Sequence, residues 1–359
     1  TTSDDAAQAA AVLSQQVGKP VRVQFMRWDD HGYDFYGPLE LNQVRGGIDA
    51  KGNLVAFDYA SYVPYGMNAQ ETTNEWVGFG PLTPLSASAG GADTTNSGSQ
   101  YNIPNRRVIT KSVPLSPGYL KTGPLRGPGA PQSIFAAEQM IDELAHAANM
   151  DPVAFRVQNI ATTTDPAYGT PGGTRWSSVL NAVAQAANWT PRVAASNLAK
   201  GDVVTGRGIA LGSFASSQAG VVAEIQVNKK TGKITPIQMY AAQNAGLAIN
   251  PALVENQMSG AMIMGTSRGL FEEITFDKSR VTSLDWVTYP IMRFKDAPKV
   301  TTVVVQRTDL QSTGSGEPPN CPAAAAVANA FFDATGVRIR QAPMTPARVR
   351  AVLKAAGVA

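Results

Sequence analysis

Apolar residues recur every three or four positions along several stretches of the chain, which is the pattern of a helix with one buried face. The clearest stretch is residues 130–150, where Ile134, Ala137 and Ile141 share one face. The Asp-Pro pair at residues 151–152 supplies an N-cap and a first-turn proline for the next helix. Helices are also predicted at residues 176–189, 251–273 and 346–356, and in the Ala-rich stretch after Pro319.

The same pattern predicts which faces of the helices are buried. Residues 251–273 are apolar nearly all round, so this helix is predicted to be buried on every side. The first helix, which ends at Gly18, is predicted to bury Ala7, Ala11, Leu13 and Val17. The acidic side chains of the helix at residues 130–150 are predicted to form a solvated face: Glu138, Asp142 and Glu143.

Alternating or β-branched segments predict the strands. Residues 21–26 alternate like a half-buried strand, and residues 41–63 are typical of a hairpin that turns at residues 49–53. Residues 66–105 show little periodicity, so a binding loop or an arm that covers a partner is expected there. Further strands are predicted in a hairpin or meander at residues 206–246, turning at residues 230–233, and at residues 299–307.

Together these elements predict an α+β protein with helices packed against mixed sheets. A length of 359 residues is large for one core, so two subdomains are expected. Residues 161–175 are the best linker by composition, because Gly, Pro and Thr are concentrated there. The predicted subdomains are therefore residues 1–165 and 166–359.

Composition excludes several kinds of site. The net charge is only +3 and no basic cluster is present, so a nucleic-acid partner is not expected. No apolar run reaches the length of a membrane span. One cysteine, Cys321, and two histidines cannot build a four-ligand zinc site of cysteines and histidines or an iron–sulfur cluster. Redox chemistry would need electron carriers in a bound cofactor or on a partner.

Glu317 is a lone carboxylate between a Gly-rich turn and two prolines, just before the Ala-rich helix. One interpretation is a carboxylate that complements the helix dipole. The other is a general base in a rigid frame, because Gly316 lets the backbone approach a ligand and the prolines donate no hydrogen bond. The sequence alone leaves both interpretations open.

Two further segments are candidate binding sites. Arg126 lies among Gly123, Gly127 and Gly129 in a Gly/Pro-rich loop that leads into a helix, as a rigid connector or as a cradle for an anion or cofactor. Gln257 is a polar residue in a helix predicted to be buried, so its amide needs either neighbouring backbone or the edge of a cofactor as partner.

Taken in order, four segments resemble one family. They are "GKPVRVQFMR", "LRGPGAPQSIFAAEQMIDELAHAANMDPVAFRVQNI", "AGLAINPALVENQMSGAMIMGTSRGLFEE" and "GSGEPP" followed by an Ala-rich helix. The set resembles the molybdenum-cofactor-binding large subunit of the xanthine dehydrogenase/aldehyde oxidase family, and the resemblance covers nearly all of the chain. The stretch "VTSLDWVTYPIM" is similar to the nicotinate dehydrogenase and isoquinoline oxidoreductase type.

The resemblance also implies partners. The family's G-x-F/Y-G turn and G-Q-G segment are absent from this sequence. The chain therefore resembles the C-terminal half of such a subunit, with the N-terminal half expected on a separate chain. A small subunit with [2Fe–2S] clusters is the expected electron acceptor, and an FAD or cytochrome c subunit is a further candidate partner.

The implied cofactor is molybdopterin with molybdenum, with the cytosine dinucleotide form as one alternative, shared with the other chain and without a protein ligand to the metal. Glu317 matches the family's glutamate base, which takes a proton during attack by a water-derived hydroxyl. The cofactor-binding positions are Arg126, Gly127, Gly129, Gln257 and Gly316. Tyr65, Met67 and Phe214 are expected to line a pocket for a flat aromatic compound or an aldehyde.

The implied function is that of a molybdenum hydroxylase acting on an aldehyde or an N-heteroaromatic compound. The alternative is a non-catalytic assembly or structural homologue that kept the fold and lost the site. Retention of both Glu317 and Arg126 favours the enzyme.

Overall fold

The computed structural model describes residues 5–33, 36–64, 96–113, 125–160, 164–165, 170–193 and 201–358. The helices are α1 (Asp5–Val17), α2 (Arg27–Tyr33), α3 (Ala130–Ala147), α4 (Pro152–Asn159), α5 (Gly172–Ala186), α6 (Pro251–Leu270), α7 (Asn320–Thr335) and α8 (Pro346–Ala355). The strands are β1 (Leu41–Ile48), β2 (Leu54–Pro64), β3 (Asn105–Val113), β4 (Thr164–Asp165), β5 (Thr170–Pro171), β6 (Val203–Phe214), β7 (Ser217–Asn228), β8 (Ile234–Asn244) and β9 (Lys299–Val304).

Two mixed sheets form the framework. The first has the order β1-β2-β3, in which β1 and β2 are antiparallel and β3 joins β2 in parallel. The second has the order β6-β7-β8-β9, an antiparallel meander to which β9 adds in parallel. Helices pack against these sheets, so the predicted α+β class is confirmed.

Local sequence signals determined several boundaries correctly. The hairpin β1–β2 turns at residues 49–53, where an Asp49 carboxylate oxygen accepts hydrogen bonds from the backbone N–H groups of Lys51 and Asn53. Asp151 caps α4 by accepting from the N–H groups of Val153 and Ala154, each at 2.9 Å. Both arrangements use side chains that favour local hydrogen bonds to the backbone.

The Ala-rich helix α7 is the centre of the larger core, and every one of its residues is buried. A Cβ atom added at Gly208 on β6 would lie 2.1 Å from the backbone nitrogen of Ala330, so strand and helix approach as closely as a glycine permits. Small side chains on α7 allow this contact. At the N-terminal end of α7, a Cβ atom at Gly265 of α6 would lie 2.6 Å from the backbone oxygen of Asn320, so this end is also closely packed, and Glu317 lies three residues before it.

The prediction for the acidic face of α3 was wrong. Glu138 and Asp142 are 0% and 2% exposed, and Glu138 accepts hydrogen bonds from the guanidinium of Arg156 at 3.0 and 3.1 Å. Glu138 also accepts from the hydroxyl of Tyr101 at 2.7 Å. Burial, and then the charge of Glu138, raise the pKa of that hydroxyl well above its ordinary value, so it remains a donor. Glu143 is part-exposed and pairs with Arg340.

Two predictions near the start of the chain were also wrong. Residues 21–26 form no strand, although their burial alternates, because no described strand lies beside them. The predicted apolar face of α1 is the exposed face, with Leu13 and Val17 46% and 57% exposed, whereas Ala9 is buried.

Helix α6 is exposed on one side over residues 251–264 and buried nearly all round from Gly265 to Leu270, so the prediction of burial all round was wrong for the first part of the helix. Val254, Met258 and Met262 are buried, whereas Leu253 is 60% exposed. The adjacent exposed side includes Gln257.

Three predictions about loops have different outcomes. Most of the long loop predicted at residues 66–105 lies outside the described residues, and the strand β3 begins at its last position. Helix α5 begins at Gly172, inside the predicted linker. The subdomain boundary after residue 165 stays a prediction; both hydrophobic clusters of the core contain residues from either side of it.

Candidate active site

Two turns that are 190 residues apart in the chain meet at the N-terminal ends of α3 and α7. The backbone N–H of Gly127 donates a hydrogen bond of 2.8 Å to Oε1 of Glu317. The Gly/Pro-rich loop and the carboxylate, which the sequence analysis selected separately, are therefore neighbours. The contact joins the start of one buried helix to the start of another.

Glu317 does not cap the helix that follows it. The N-cap of α7 is Pro319, and no side chain of the described chain caps this end. The backbone carbonyl of Glu317 accepts from the N–H of Asn320 at 3.0 Å, which places the glutamate in the turn before the helix. Its carboxylate is directed across to Gly127 instead. From the described residues, Oε2 accepts no hydrogen bond.

Arg126 links the Glu317 turn to α6. Its Nε donates to the carbonyl of Gly316 at 2.7 Å, and Nη2 donates to the same carbonyl. The same Nη2 also donates to Oε1 of Gln257 at 2.9 Å and to the carbonyl of Gln257 at 3.1 Å. Burial lowers the pKa of Arg126, and the negative charge of Glu317 opposes that shift. The guanidinium remains charged and holds three segments in one place.

Gln257 lies in this cluster, but its predicted burial was wrong. The residue is on the exposed side of α6, and its amide oxygen is held by Arg126 rather than by neighbouring backbone. The sequence correctly selected the residue as polar in an apolar helix. It did not reveal which side of the helix the core would cover.

The glycines of the site have different roles. Gly127 has a φ of +78°, and a Cβ atom there would lie 2.8 Å from Sγ of Cys321, so packing and backbone both require glycine. Gly129 has a φ of +74° and is the N-cap of α3 without a side-chain capping bond. At Gly316 a Cβ atom would meet only Oε1 of Gln257, at 3.5 Å, which is an ordinary contact. The packing of the described chain therefore leaves space open over Gly316.

The structure adds two residues that the sequence analysis did not select. Asn320 and Arg268 each donate to the carbonyl of Arg126 at 2.7 Å, from Nδ2 and Nη1 respectively. Asn320 is buried, and no described residue donates to its Oδ1. The available signals were an amide directly after two prolines, before an Ala-rich stretch, and an arginine near the end of a helix with few charged residues.

The predicted substrate-pocket residues are only partly described. Phe214 is the last residue of β6 and packs against the larger core cluster. The next residue, Ala215, accepts a hydrogen bond from the N–H of Gly314 at 3.2 Å, so this turn contacts the loop that leads to Glu317. Tyr65 and Met67 lie outside the described residues.

A groove with a volume of about 1800 Å³ lies beside this site, and Glu317, Arg126, Gln257 and Gly316 are not part of its lining. Its lining includes Gly127, Gly129, Arg268 and Asn320, together with residues of β1 and β2. In the described part of the chain, no three His, Cys, Asp or Glu side chains are arranged to hold a metal ion. No helix among the same residues is long and apolar enough to span a membrane.

Comparisons with known proteins agree with this arrangement. Residues 5–160 and 134–298 match two models of a molybdopterin cofactor-binding domain. The chain is 34% identical to one of the subunits of nicotinate dehydrogenase from Pseudomonas putida, over 99% of this chain and 29% of that protein. It is 28% identical to a membrane-bound aldehyde dehydrogenase [pyrroloquinoline-quinone] of Gluconacetobacter polyoxogenes, over 95% of this chain and 44% of that protein.

The fold is also that of a solved structure, quinoline 2-oxidoreductase from Pseudomonas putida 86. The two superpose with a TM-score of 0.76 over 96% of this chain and 65% of the other, at 13% identity. The matches define an α+β chain built of molybdopterin cofactor-binding domains. The chain belongs to the molybdopterin-binding subunits of the xanthine dehydrogenase family. It spans less than half the length of the two relatives named above.

The residues present fit a molybdenum–pterin cofactor. A polar pterin is held by hydrogen bonds and needs room beside the backbone. Arg126 supplies a guanidinium, Gly316 leaves open space, and Oδ1 of Asn320 is a buried acceptor that no described donor satisfies. Native structures rarely leave such an atom without a partner, so a bound group or water is expected beside it.

Proposed function

We propose that this chain forms one side of the active site of a molybdenum hydroxylase, with Glu317 as the general base. The observation that supports the proposal most directly is the position of the Glu317 carboxylate. One oxygen is held by Gly127, and the other accepts no hydrogen bond from the described residues. A base needs this combination, because it must be fixed in direction and still have a free lone pair.

The proposed reaction replaces a hydrogen on the substrate carbon with a hydroxyl derived from water. Two protons and two electrons are released for each turnover. When bound, the molybdenum cofactor supplies the oxidising centre that accepts the electron pair. Oε2 of Glu317 takes one of the protons, from the water-derived oxygen. The Gly127 N–H stabilises the carboxylate before this transfer. Because it holds Oε1, Oε2 points away from Gly127.

The cofactor is proposed to lie against Arg126, Gly127, Gly129, Gln257 and Gly316. Arg126 orders this surface because it bonds both Gly316 and Gln257. A surface held by one guanidinium is preorganised, so little rearrangement is needed when the cofactor binds. The cofactor is proposed to be the pterin, with its cytosine dinucleotide as one alternative form. Further residues of the molybdenum-binding subunit, on this or another chain, are proposed to complete the binding site.

The proposed substrate is an aldehyde or an N-heteroaromatic compound. The relatives carry names of both kinds, since one belongs to a nicotinate dehydrogenase and the other is an aldehyde dehydrogenase. The electrons are proposed to leave through [2Fe–2S] clusters on a small partner subunit, and then through an FAD or cytochrome c subunit. Tyr65, Met67 and Phe214 remain the proposed lining of the substrate pocket.

Metal analysis of the assembled complex tests the proposal. The chain is purified with its partners, and molybdenum and iron are measured before and after the partners are removed. The expected result is about one molybdenum per complex that is lost on stripping, with iron following the small partner. A folded and fully assembled complex that contains neither metal would instead support a non-catalytic homologue of this fold.

A further inference from the structure

The peptide bond between Arg126 and Gly127 is held at both of its polar atoms. The Arg126 carbonyl accepts two hydrogen bonds of 2.7 Å, from Nη1 of Arg268 and from Nδ2 of Asn320. The Gly127 N–H on the other edge of the same peptide donates to Glu317. We name Asn320 and Arg268, with the peptide that they hold, the peptide clamp. Its parts come from α6, from α7 and from the loop before α3.

The peptide unit is planar, so its C=O and N–H point in opposite directions and cannot turn independently. A donor that fixes the carbonyl therefore also fixes the direction of the N–H. The backbone at Gly127 has little preference of its own, because glycine populates both signs of φ. Without the two donors to the carbonyl, the Gly127 N–H could turn away from Glu317 at little cost.

Both donors are themselves fixed. Asn320 is buried, and its backbone N–H donates to the carbonyl of Glu317 at 3.0 Å, so one residue holds both the Glu317 main chain and the clamped peptide. Helix α6 is packed tightly against this point, because a Cβ atom at Gly265 would lie 2.6 Å from the backbone oxygen of Asn320. Arg268 is on the same helix and is largely withdrawn from water, and burial lowers its pKa.

We infer that Asn320 and Arg268 are positioning residues, which act on the reaction through the Gly127 N–H by holding Glu317 in its productive direction. The inference rests on the proposed role of Glu317 as base. It assigns a purpose to two side chains that do not themselves contact Glu317 by a side-chain hydrogen bond. It also explains why two donors converge on one carbonyl.

Hydrogen exchange of the Gly127 amide, read at single-residue resolution by mass spectrometry, tests the clamp without any assay of activity. Asn320→Leu removes the donor at similar volume and should raise the exchange rate of Gly127 at least tenfold. Arg268→Met should do the same, and Arg268→Lys, which keeps one donor, should restore part of the protection. Asn105→Leu is the matched control, since it removes an amide-to-carbonyl bond on β3 and should leave Gly127 unchanged.

Kinetics of the assembled complex then test the link to Glu317. Asn320→Leu and Arg268→Met should each lower kcat about tenfold with little change in KM. Combined with Glu317→Gln, they should cause no further loss, because residues that act as one unit are not additive. If Asn320→Leu does not fold, the Arg268→Met and Arg268→Lys variants provide the test on their own.

Unchanged exchange at Gly127 in a folded variant would overturn the clamp. Fully additive losses in kcat would overturn its action through Glu317. Failure of the proposed function can be distinguished from failure of the clamp. If Glu317 is not the base, Glu317→Gln retains turnover, whereas hydrogen exchange at Gly127 still tests the clamp.

Discussion

The carboxylate of Glu317 and the backbone N–H of Gly127 lie 2.8 Å apart, although 190 residues separate them in the chain. This contact shows that the Glu317 carboxylate does not cap α7, and its role as general base stays a proposal. A capping carboxylate would bond the first turn of its own helix, whereas this one bonds a different loop. Arg126 precedes Gly127 in the chain, and its guanidinium donates hydrogen bonds to Gly316 and Gln257. These site residues are therefore connected to the Glu317–Gly127 contact.

Glu317→Gln should leave the cofactor bound and lower kcat by about 10²- to 10⁴-fold, the usual contribution of a general base. Glutamine has nearly the same shape, and its amide oxygen can still accept from Gly127. It has no carboxylate to take a proton at neutral pH. Steady-state kinetics of the assembled complex, normalised to molybdenum content, would measure the effect.

The matched control is Glu255→Gln, which makes the same change on the exposed surface of α6. Its kcat should equal that of the unmodified complex. Turnover within about threefold of the unmodified complex in Glu317→Gln would contradict the assignment of the base.

Gly316→Ala and Gly127→Ala should differ in their effect on folding. A Cβ atom at Gly316 meets only an ordinary contact, so the variant should fold normally and lose molybdenum, because its methyl group enters the open space. Gly127→Ala should be destabilised by roughly 1–3 kcal/mol, since φ is positive and Cys321 lies too close. Chemical denaturation and metal analysis of both variants would separate the two effects. Full molybdenum content in Gly316→Ala would show that no cofactor lies over this glycine.

Arg156→Met should destabilise the fold by about 3–5 kcal/mol, because it leaves the buried carboxylate of Glu138 without its charged partner. The change should appear as a lower midpoint in urea unfolding at pH 7. Arg340→Met removes an ion pair of which the arginine is largely exposed, and it should cost less than about 1 kcal/mol. Equal losses in the two variants would mean that burial of the Arg156 pair does not matter.

Asp58 should make the stability of the first sheet depend on pH. Hydrogen bonds from Arg107, and then from Arg45, lower the pKa of this carboxylate well below its ordinary value of about 3.9. Its contribution to stability is therefore complete above about pH 5, and it is lost progressively as the pH falls from there to the lowered pKa of the folded state. Asp58→Asn should lower Tm slightly at pH 7, and the difference from the unmodified protein should shrink on acidification. A difference that stayed constant from pH 7 to pH 3 would show that the charge is not involved.

Local patterns in the sequence predicted the elements whose hydrogen bonds are local. The period of three to four residues identified α3, and Asp151 identified the start of α4. The strand β3 was not predicted, because it is defined by parallel pairing with β2 across about fifty residues rather than by its own pattern. Glu138 was placed on the solvated side of α3 for the same reason, since its partner Arg156 reaches it from another helix.

For the candidate site, the sequence by itself determined the residue types and the order of the segments. Those were sufficient to select Glu317, Arg126 and Gln257 and to recognise the family. Only the tertiary structure decided that the Glu317 carboxylate accepts a hydrogen bond from Gly127 and that Gln257 faces outward. It also decided that Asn320 and Arg268 hold the peptide bond between residues 126 and 127. The physical reason is that a hydrogen bond between distant segments depends on how helices α3, α6 and α7 pack. The spacing of apolar residues along the chain indicates where each helix lies, but it does not indicate which helix ends are in contact.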